Sequence, residues 1–155
     1  MKGGRGARKG VGVSARFDEI AGMMRELDDE TRLAMLLDYS RKLPELPGEL
    51  AEKWARGEGR APECVTPVFL EMERGESGRV TLHVAVGEEA PTVRGVLAIV
   101  VEGFSGRAAG EVAEMPEDLL GRLGLTRQIR MQRATGIAGI VGRIRRMARE
   151  LDSAA

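Results

Sequence analysis

Residues 65–86 read VTPVFLEMERGESGRVTLHVAV. Apolar and polar residues alternate on both sides of the glycine-bounded segment Gly75–Gly78, a pattern typical of two strands joined by a turn. The first strand is predicted over Val65–Glu73, and Pro67 places its start at a sheet edge. One face of each predicted strand is apolar. In the first strand this face consists of Val68, Leu70 and Met72, and in the second it consists of Val80, Leu82, Val84 and Val86. Phe69 falls on the opposite, more polar face. The sequence therefore predicts a hairpin with one buried face.

Helical periodicity replaces this alternation before and after the hairpin. Before it, helices are predicted over Phe17–Leu27, from Asp28 or Asp29 to the residues before Pro44, and over Gly48–Ala55. After it, helices are predicted from Pro91 to near Gly103, around Arg107–Glu114 and Glu117–Leu123, and over the last stretch. The buried stripe of that last helix is predicted to contain Met131, Ala134, Ile137, Ile140, Val141, Ile144, Met147, Ala148 and Leu151. Strands in the middle and helices at both ends predict an α+β fold, a small antiparallel sheet flanked by helices.

Length and composition favour one compact unit. A chain of 155 residues with 43% hydrophobic content can bury one core, so we predict a single domain over residues 15–152, preceded by a disordered, basic, glycine-rich tail over residues 1–14. The tail has no acidic residue, but it lacks the serine content and the length of a transit peptide or an RNA-binding arm. Lys+Arg 24 balances Asp+Glu 24, which disfavours nucleic acid and membranes as partners. We expect a cytoplasmic protein.

Cys64, the only cysteine in the chain, is the leading candidate for chemistry. It follows the glycine- and proline-rich loop 56–62, and loops held by a scaffold often carry functional residues. Free cysteines are also often buried structural residues, and this alternative stays open. Counting back by twos from Met72 places Cys64 on the apolar side, so we expect a sheltered thiol. Nearby, Arg60 favours the thiolate and Glu63 opposes it.

Other kinds of site find little support. His83, the only histidine, is predicted to be solvated on the polar face of the second strand, so a hydrolytic cysteine–histidine pair is a weak hypothesis. One cysteine and one histidine do not supply the ligands of a zinc or iron–sulfur site, and no phosphate-binding glycine loop occurs. We therefore expect neither metal nor cofactor. We interpret the arginines of the last helix as a solvated face, with a partner-docking surface as the second interpretation; they are Arg130, Arg133, Arg143, Arg145, Arg146 and Arg149.

Four segments resemble, in order and spacing, the landmarks of the SufE cysteine-desulfuration family. They are RKLPELP at 41–47, RAPECVTPVF at 60–69, EAPTVRG at 89–95 and RATG at 133–136. Family members commonly read PGCQSQVW at the cysteine, whereas here Glu63 replaces the glycine and residues 65–67 replace the polar triplet. A branch of the family carries ECxTPVF, which this chain matches. The resemblance extends over about residues 15–150.

The resemblance implies a fold shared with IscU-like scaffolds and a relay of sulfur without a cofactor. Such a protein accepts persulfide sulfur from a SufS-like, pyridoxal-phosphate-dependent cysteine desulfurase, stimulates that enzyme, and passes the sulfur to a SufBCD-like iron–sulfur scaffold complex. By position, Cys64 would bear the persulfide and Arg133 would match the family's arginine near the acceptor. Glu89 would stand where an aspartate is usual, while Arg60 and Glu63 would support the loop or the partner. No stand-alone activity is implied, and a homodimer is one alternative for the oligomeric state.

Two other classes of function stay open. A thiol-dependent enzyme such as a one-cysteine peroxidase would turn over peroxide with Cys64 alone. A noncatalytic interaction module would tolerate loss of the thiol. The Cys64→Ser variant separates the interaction module from the other two classes.

Overall fold

The hairpin predicted from residues 65–86 is the centre of a three-stranded antiparallel sheet. A computed structural model of the protein describes residues 14–154, so the predicted tail lies outside the described residues except for Ser14. The register places Val68 opposite Val86 and Arg74 opposite Val80. The elements in chain order are α1 (Ala15–Glu26), α2 (Asp29–Ser40), α3 (Gly48–Ala55), β1 (Val68–Arg74), β2 (Arg79–Val86), α4 (Pro91–Phe104), β3 (Arg107–Ala108), α5 (Ala109–Ala113), α6 (Leu119–Arg122) and α7 (Met131–Ser153). The fold is α+β, as predicted.

The sheet differs from the prediction in three details. The two-residue strand β3 pairs with Arg79 and Val80, giving the order β1-β2-β3, and it was not predicted. Strand β1 begins at Val68 instead of Val65. Phe69 is fully buried although it lies on the face predicted to be polar, because α3 covers that face: the rings of Trp54 and Phe69 are 5.8 Å apart.

Helix α4 forms the middle layer of the core, between the sheet and the helices α1 and α2. Its apolar face is broad, and the fully buried side chains include Val93, Val96, Leu97, Ile99 and Val100. Gly95 allows α2 to approach closely, because a Cβ at this position would lie 2.4 Å from the carbonyl oxygen of Leu36. Ser14 joins α1 to the other end of α4: its hydroxyl accepts the N–H of Phe17 and donates to the carbonyl of Gly103 at 2.6 Å.

The long helix α7 packs against α5 and beside the start of β1. The apolar stripe predicted for it is largely correct, and its buried residues are Gly136, Ile137, Ile140, Val141, Ile144 and Ala148. The prediction is wrong for Met131, which is 80% exposed because the helix begins there, before its stripe reaches the core. None of the described helices is both long enough and apolar enough to cross a membrane.

Gly95→Ala should lower the free energy of unfolding by about 1–3 kcal/mol, the usual cost of forcing an extra methyl group into a packed contact. The urea midpoint measures this change. Gly22→Ala is the control, because a Cβ at this helical position meets nothing within 4 Å; it should raise stability by up to about 1 kcal/mol through helix propensity. A Gly95→Ala variant as stable as the wild type would contradict the close contact between α2 and α4.

Candidate functional site

Cys64 lies in the loop between α3 and β1, and it is only 4% exposed. The predicted shelter of the thiol is therefore present. Its cause differs from the prediction, because residues 64–67 are not part of a strand and α7 covers the thiol instead. The preceding loop is held along the edge of β1, where the N–H of Ala61 donates to Val68 at 2.8 Å and the N–H of Leu70 donates to Gly59 at 3.2 Å.

Two glycines of α7 make room for the cysteine loop. A Cβ at Gly136 would lie 2.6 Å from the Sγ of Cys64, and a Cβ at Gly139 would lie 2.7 Å from the Cβ of Glu63. Residues three apart lie on the same face of a helix. The loop therefore rests directly on the helix backbone, and any side chain at either position would push it outward.

Glu63 also attaches the cysteine loop to α7 through ion pairs. Arg143 Nη1 donates to its Oε2 at 3.2 Å, and Arg146 Nη2 lies 3.5 Å from the same oxygen. The other oxygen, Oε1, is buried and has no hydrogen-bond partner among residues 14–154. Two arginines predicted to form a solvated face thus bind the loop, and they offset the charge that Glu63 would otherwise present to the thiol.

Of the other predicted site residues, Arg60 and Arg133 lie near the thiol and Glu89 does not. Arg60 donates to the carbonyl of Val65 at 2.9 Å and so braces the loop that holds Cys64. Glu89 is exposed in the turn before α4 and does not belong to the cavity wall around the thiol. Arg133 belongs to that wall.

A chamber of two adjoining cavities lies beside the buried thiol. The first has a volume of about 140 Å³, and its wall consists of Cys64, Val65, Thr66, Arg130, Gln132 and Arg133. The second, of about 230 Å³, shares the two arginines and extends to Thr92 and Gln128. Arg133 Nη1 donates to the hydroxyl of Thr92 at 3.4 Å. Arg130 was not predicted as a site residue; its position directly before α7, three residues before Arg133, was the available signal.

The mouth of this chamber is apolar. Val65, in its wall, is 72% exposed, and Met131, between two wall residues, is 80% exposed. Among the described residues only one other large apolar side chain, Met23, is exposed. The side chains of Val65 and Met131 are apolar surface that a docking protein could cover.

His83 does not take part in the site. Its Nε2 lies 3.0 Å from Glu73 Oε1 across the hairpin, and the residue is half-buried instead of solvated as predicted. Within residues 14–154, no group of three or more His, Cys, Asp or Glu side chains could hold a metal ion.

Comparison with known proteins identifies the family. The family model described as "SufE: Fe-S metabolism associated domain" matches residues 18–148. The chain belongs to the SufE family. This confirms the resemblance drawn from the four sequence segments.

SufE-family relatives cover most of the chain. An uncharacterized SufE-like protein of Mycobacterium tuberculosis is 34% identical over 140 residues, covering 90% of this chain and 96% of the relative. The sulfur acceptor protein CsdE of Escherichia coli is 30% identical over 109 residues, 70% of each chain. The solution structure of a hypothetical protein from Thermus thermophilus is similar with a TM-score of 0.76 and 27% identity, and covers 91% of this chain and 98% of that one.

Gly136→Ala should expose Cys64, because the new methyl group would occupy the space of the thiol. We expect iodoacetamide to alkylate the folded variant several-fold faster than the folded wild type. Gly142→Ala on the same helix is the control: its Cβ would meet only the Arg146 guanidinium, at an ordinary 3.5 Å. Equal alkylation rates in the Gly136 variant and the wild type would show that α7 does not cover the thiol.

Proposed function

We propose that this SufE-family chain is a cytoplasmic sulfur carrier, built as a single domain over residues 15–152. The protein accepts sulfur on Cys64 from a SufS-like, pyridoxal-phosphate-dependent cysteine desulfurase and stimulates that enzyme. It then passes the sulfur to a SufBCD-like iron–sulfur scaffold. The observation that carries the proposal is a single buried thiol in the wall of a cavity that two arginines also line. The family's association with Fe–S metabolism and the name of the E. coli relative, a sulfur acceptor, support it.

The transfer step exchanges one sulfur–sulfur bond for another. The Cys64 thiolate attacks the outer sulfur of the desulfurase persulfide, a new Sγ–S bond forms, and the donor's S–S bond breaks with its electron pair leaving on the donor thiolate. The Cys64 proton passes to solvent, and no net oxidation or reduction occurs. The cavity of about 140 Å³ beside the thiol offers space for the added sulfur atom.

The loop must open for this step, because a thiol that is 4% exposed does not reach another protein's active site. The exposed Val65 and Met131 give the desulfurase an apolar contact at the chamber mouth. A partner that binds the open loop more tightly than the closed one shifts the loop toward the open form, and about 1.4 kcal/mol of such preference shifts it tenfold. Closure afterwards shelters the persulfide from the thiols of other proteins.

Cys64→Ser should fold like the wild type but lose all stimulation of the desulfurase, because a serine hydroxyl cannot accept sulfur in this exchange. Intact mass after incubation with desulfurase and cysteine should show one added sulfur atom on the wild type and none on the variant; the urea midpoint confirms folding. If the variant still stimulated the desulfurase, the sulfur relay would be excluded and only the role of a noncatalytic interaction module would remain. Turnover of peroxide by the wild type would instead indicate a thiol peroxidase.

Glu63→Gln should loosen the loop, because the variant keeps the shape of the side chain and removes the charge that binds Arg143 and Arg146. We expect iodoacetamide to label Cys64 about fivefold faster, since a half-buried ion pair contributes roughly 1 kcal/mol. Glu58→Gln removes a surface pair with Arg56 from the preceding loop and should leave the rate unchanged.

The same labelling is repeated with a saturating desulfurase that lacks its own active-site cysteine. The labelling rates of the wild type and Glu63→Gln should then become more similar, because docking opens the loop in both proteins. Equal labelling of the two free proteins would contradict the role of Glu63 in closing the loop.

A further inference from the structure

Arg130 and Arg133, the two cations of the chamber, are not neutralised by the protein. Among the residues that the structure describes, no carboxylate lies within 4.0 Å of either guanidinium. By contrast, Arg143, Arg145 and Arg146 on the same helix each pair with a glutamate. Two unpaired cations in the wall of one chamber attract an anion.

The chamber offers hydrogen-bond donors suited to an oxyanion. Each guanidinium presents five N–H donors in a planar fork that matches sulfonate, phosphate or carboxylate oxygens. The hydroxyl of Thr92 lies in the second cavity, and Arg133 contacts it only at a long 3.4 Å. Cys64 belongs to the first cavity and Thr92 to the second, with both arginines common to the two. An anion in the first cavity therefore meets a wall that Cys64 shares with both arginines.

We propose that this chamber binds a small oxyanion carrying a sulfane sulfur, of which thiosulfate is the simplest, and that Cys64 accepts sulfur from it without a desulfurase. The proposal rests on the proposed function of Cys64 as a sulfur acceptor and adds a second class of donor. The protein would then be loaded by two routes, one through a docked protein and one through a small anion that enters the chamber from solvent.

The reaction balances without an oxidant or a reductant. The Cys64 thiolate attacks the outer sulfur of thiosulfate, an Sγ–S bond forms, and the bond between that sulfur and the sulfonate breaks. Its electron pair leaves with sulfite, and Cys64 becomes a persulfide. A thiolate and a dianion repel each other, so this attack is slow for an ordinary thiol. The two guanidiniums offset the repulsion and stabilise the charge that develops on sulfite.

The test uses the full chain with thiosulfate and no desulfurase. Intact mass should show one added sulfur on Cys64, and added cyanide should remove it as thiocyanate and allow turnover. The folded protein should react with thiosulfate faster than the same chain unfolded in urea. The neutral reagent iodoacetamide should show the opposite order, because burial slows it and no charge attracts it.

Arg130→Gln and Arg133→Gln should each slow loading from thiosulfate by about tenfold or more, the scale of one charge-assisted hydrogen bond. Arg127→Gln is the matched control: Arg127 is exposed, precedes the same helix and does not belong to the chamber wall, so the rate should not change. Sulfate, which has no sulfane sulfur to donate, should compete in the wild type.

The outcomes separate this proposal from the function it rests on. Loading by a desulfurase without loading by thiosulfate would overturn the oxyanion site and leave the relay function intact. Equal thiosulfate rates in the wild type, both arginine variants and the unfolded chain would also overturn it, because the thiol alone would then account for the reaction. Failure of Cys64 to take sulfur from either donor would overturn both proposals.

Discussion

The contact between the cysteine loop and the backbone of α7 is the constraint on which the site depends. Glu63 and Cys64 occupy the space that side chains at Gly139 and Gly136 would fill. The helix itself is fixed by its apolar stripe in the core, so the cover over the thiol is rigid. In the proposed relay, the part that moves is the loop that carries the thiol. Access to Cys64 would then depend on one short segment and would need no rearrangement of the fold.

One helix supplies three different contributions to this site. Its glycines provide the surface on which the loop rests, and Arg143 and Arg146 hold Glu63. Arg133, one turn before Gly136, and Arg130, directly before the helix, form the cationic wall of the chamber. Arginines that look equivalent in the sequence thus differ in what they face: some bind a carboxylate of the protein, and others face a space open to a ligand.

Strong local patterns were predictable from the sequence, and features set by tertiary contacts were not. The alternation in residues 68–86 was long enough to specify the hairpin. Alternation assigns residues to faces but does not say what covers them, so the burial of Phe69 under α3 was missed. Helical periodicity has no information on where the core ends, which explains the error at Met131. The strand β3 is too short to have a pattern.

For the functional site as well, features marked by local sequence were predictable and features set by tertiary contacts were not. The uniqueness of Cys64 and its loop position drew attention to it, and the order of the surrounding segments indicated the family. Its shelter was predicted from strand alternation, whereas the actual cover is a helix more than seventy residues later in the chain. Neither the role of the two glycines nor the place of Arg130 in the chamber wall is visible without that packing.

Because Gly136 is translated after Cys64, at about 5–20 residues per second, each newly made chain carries an uncovered thiol for several seconds. During that interval the fold gives the cysteine no protection.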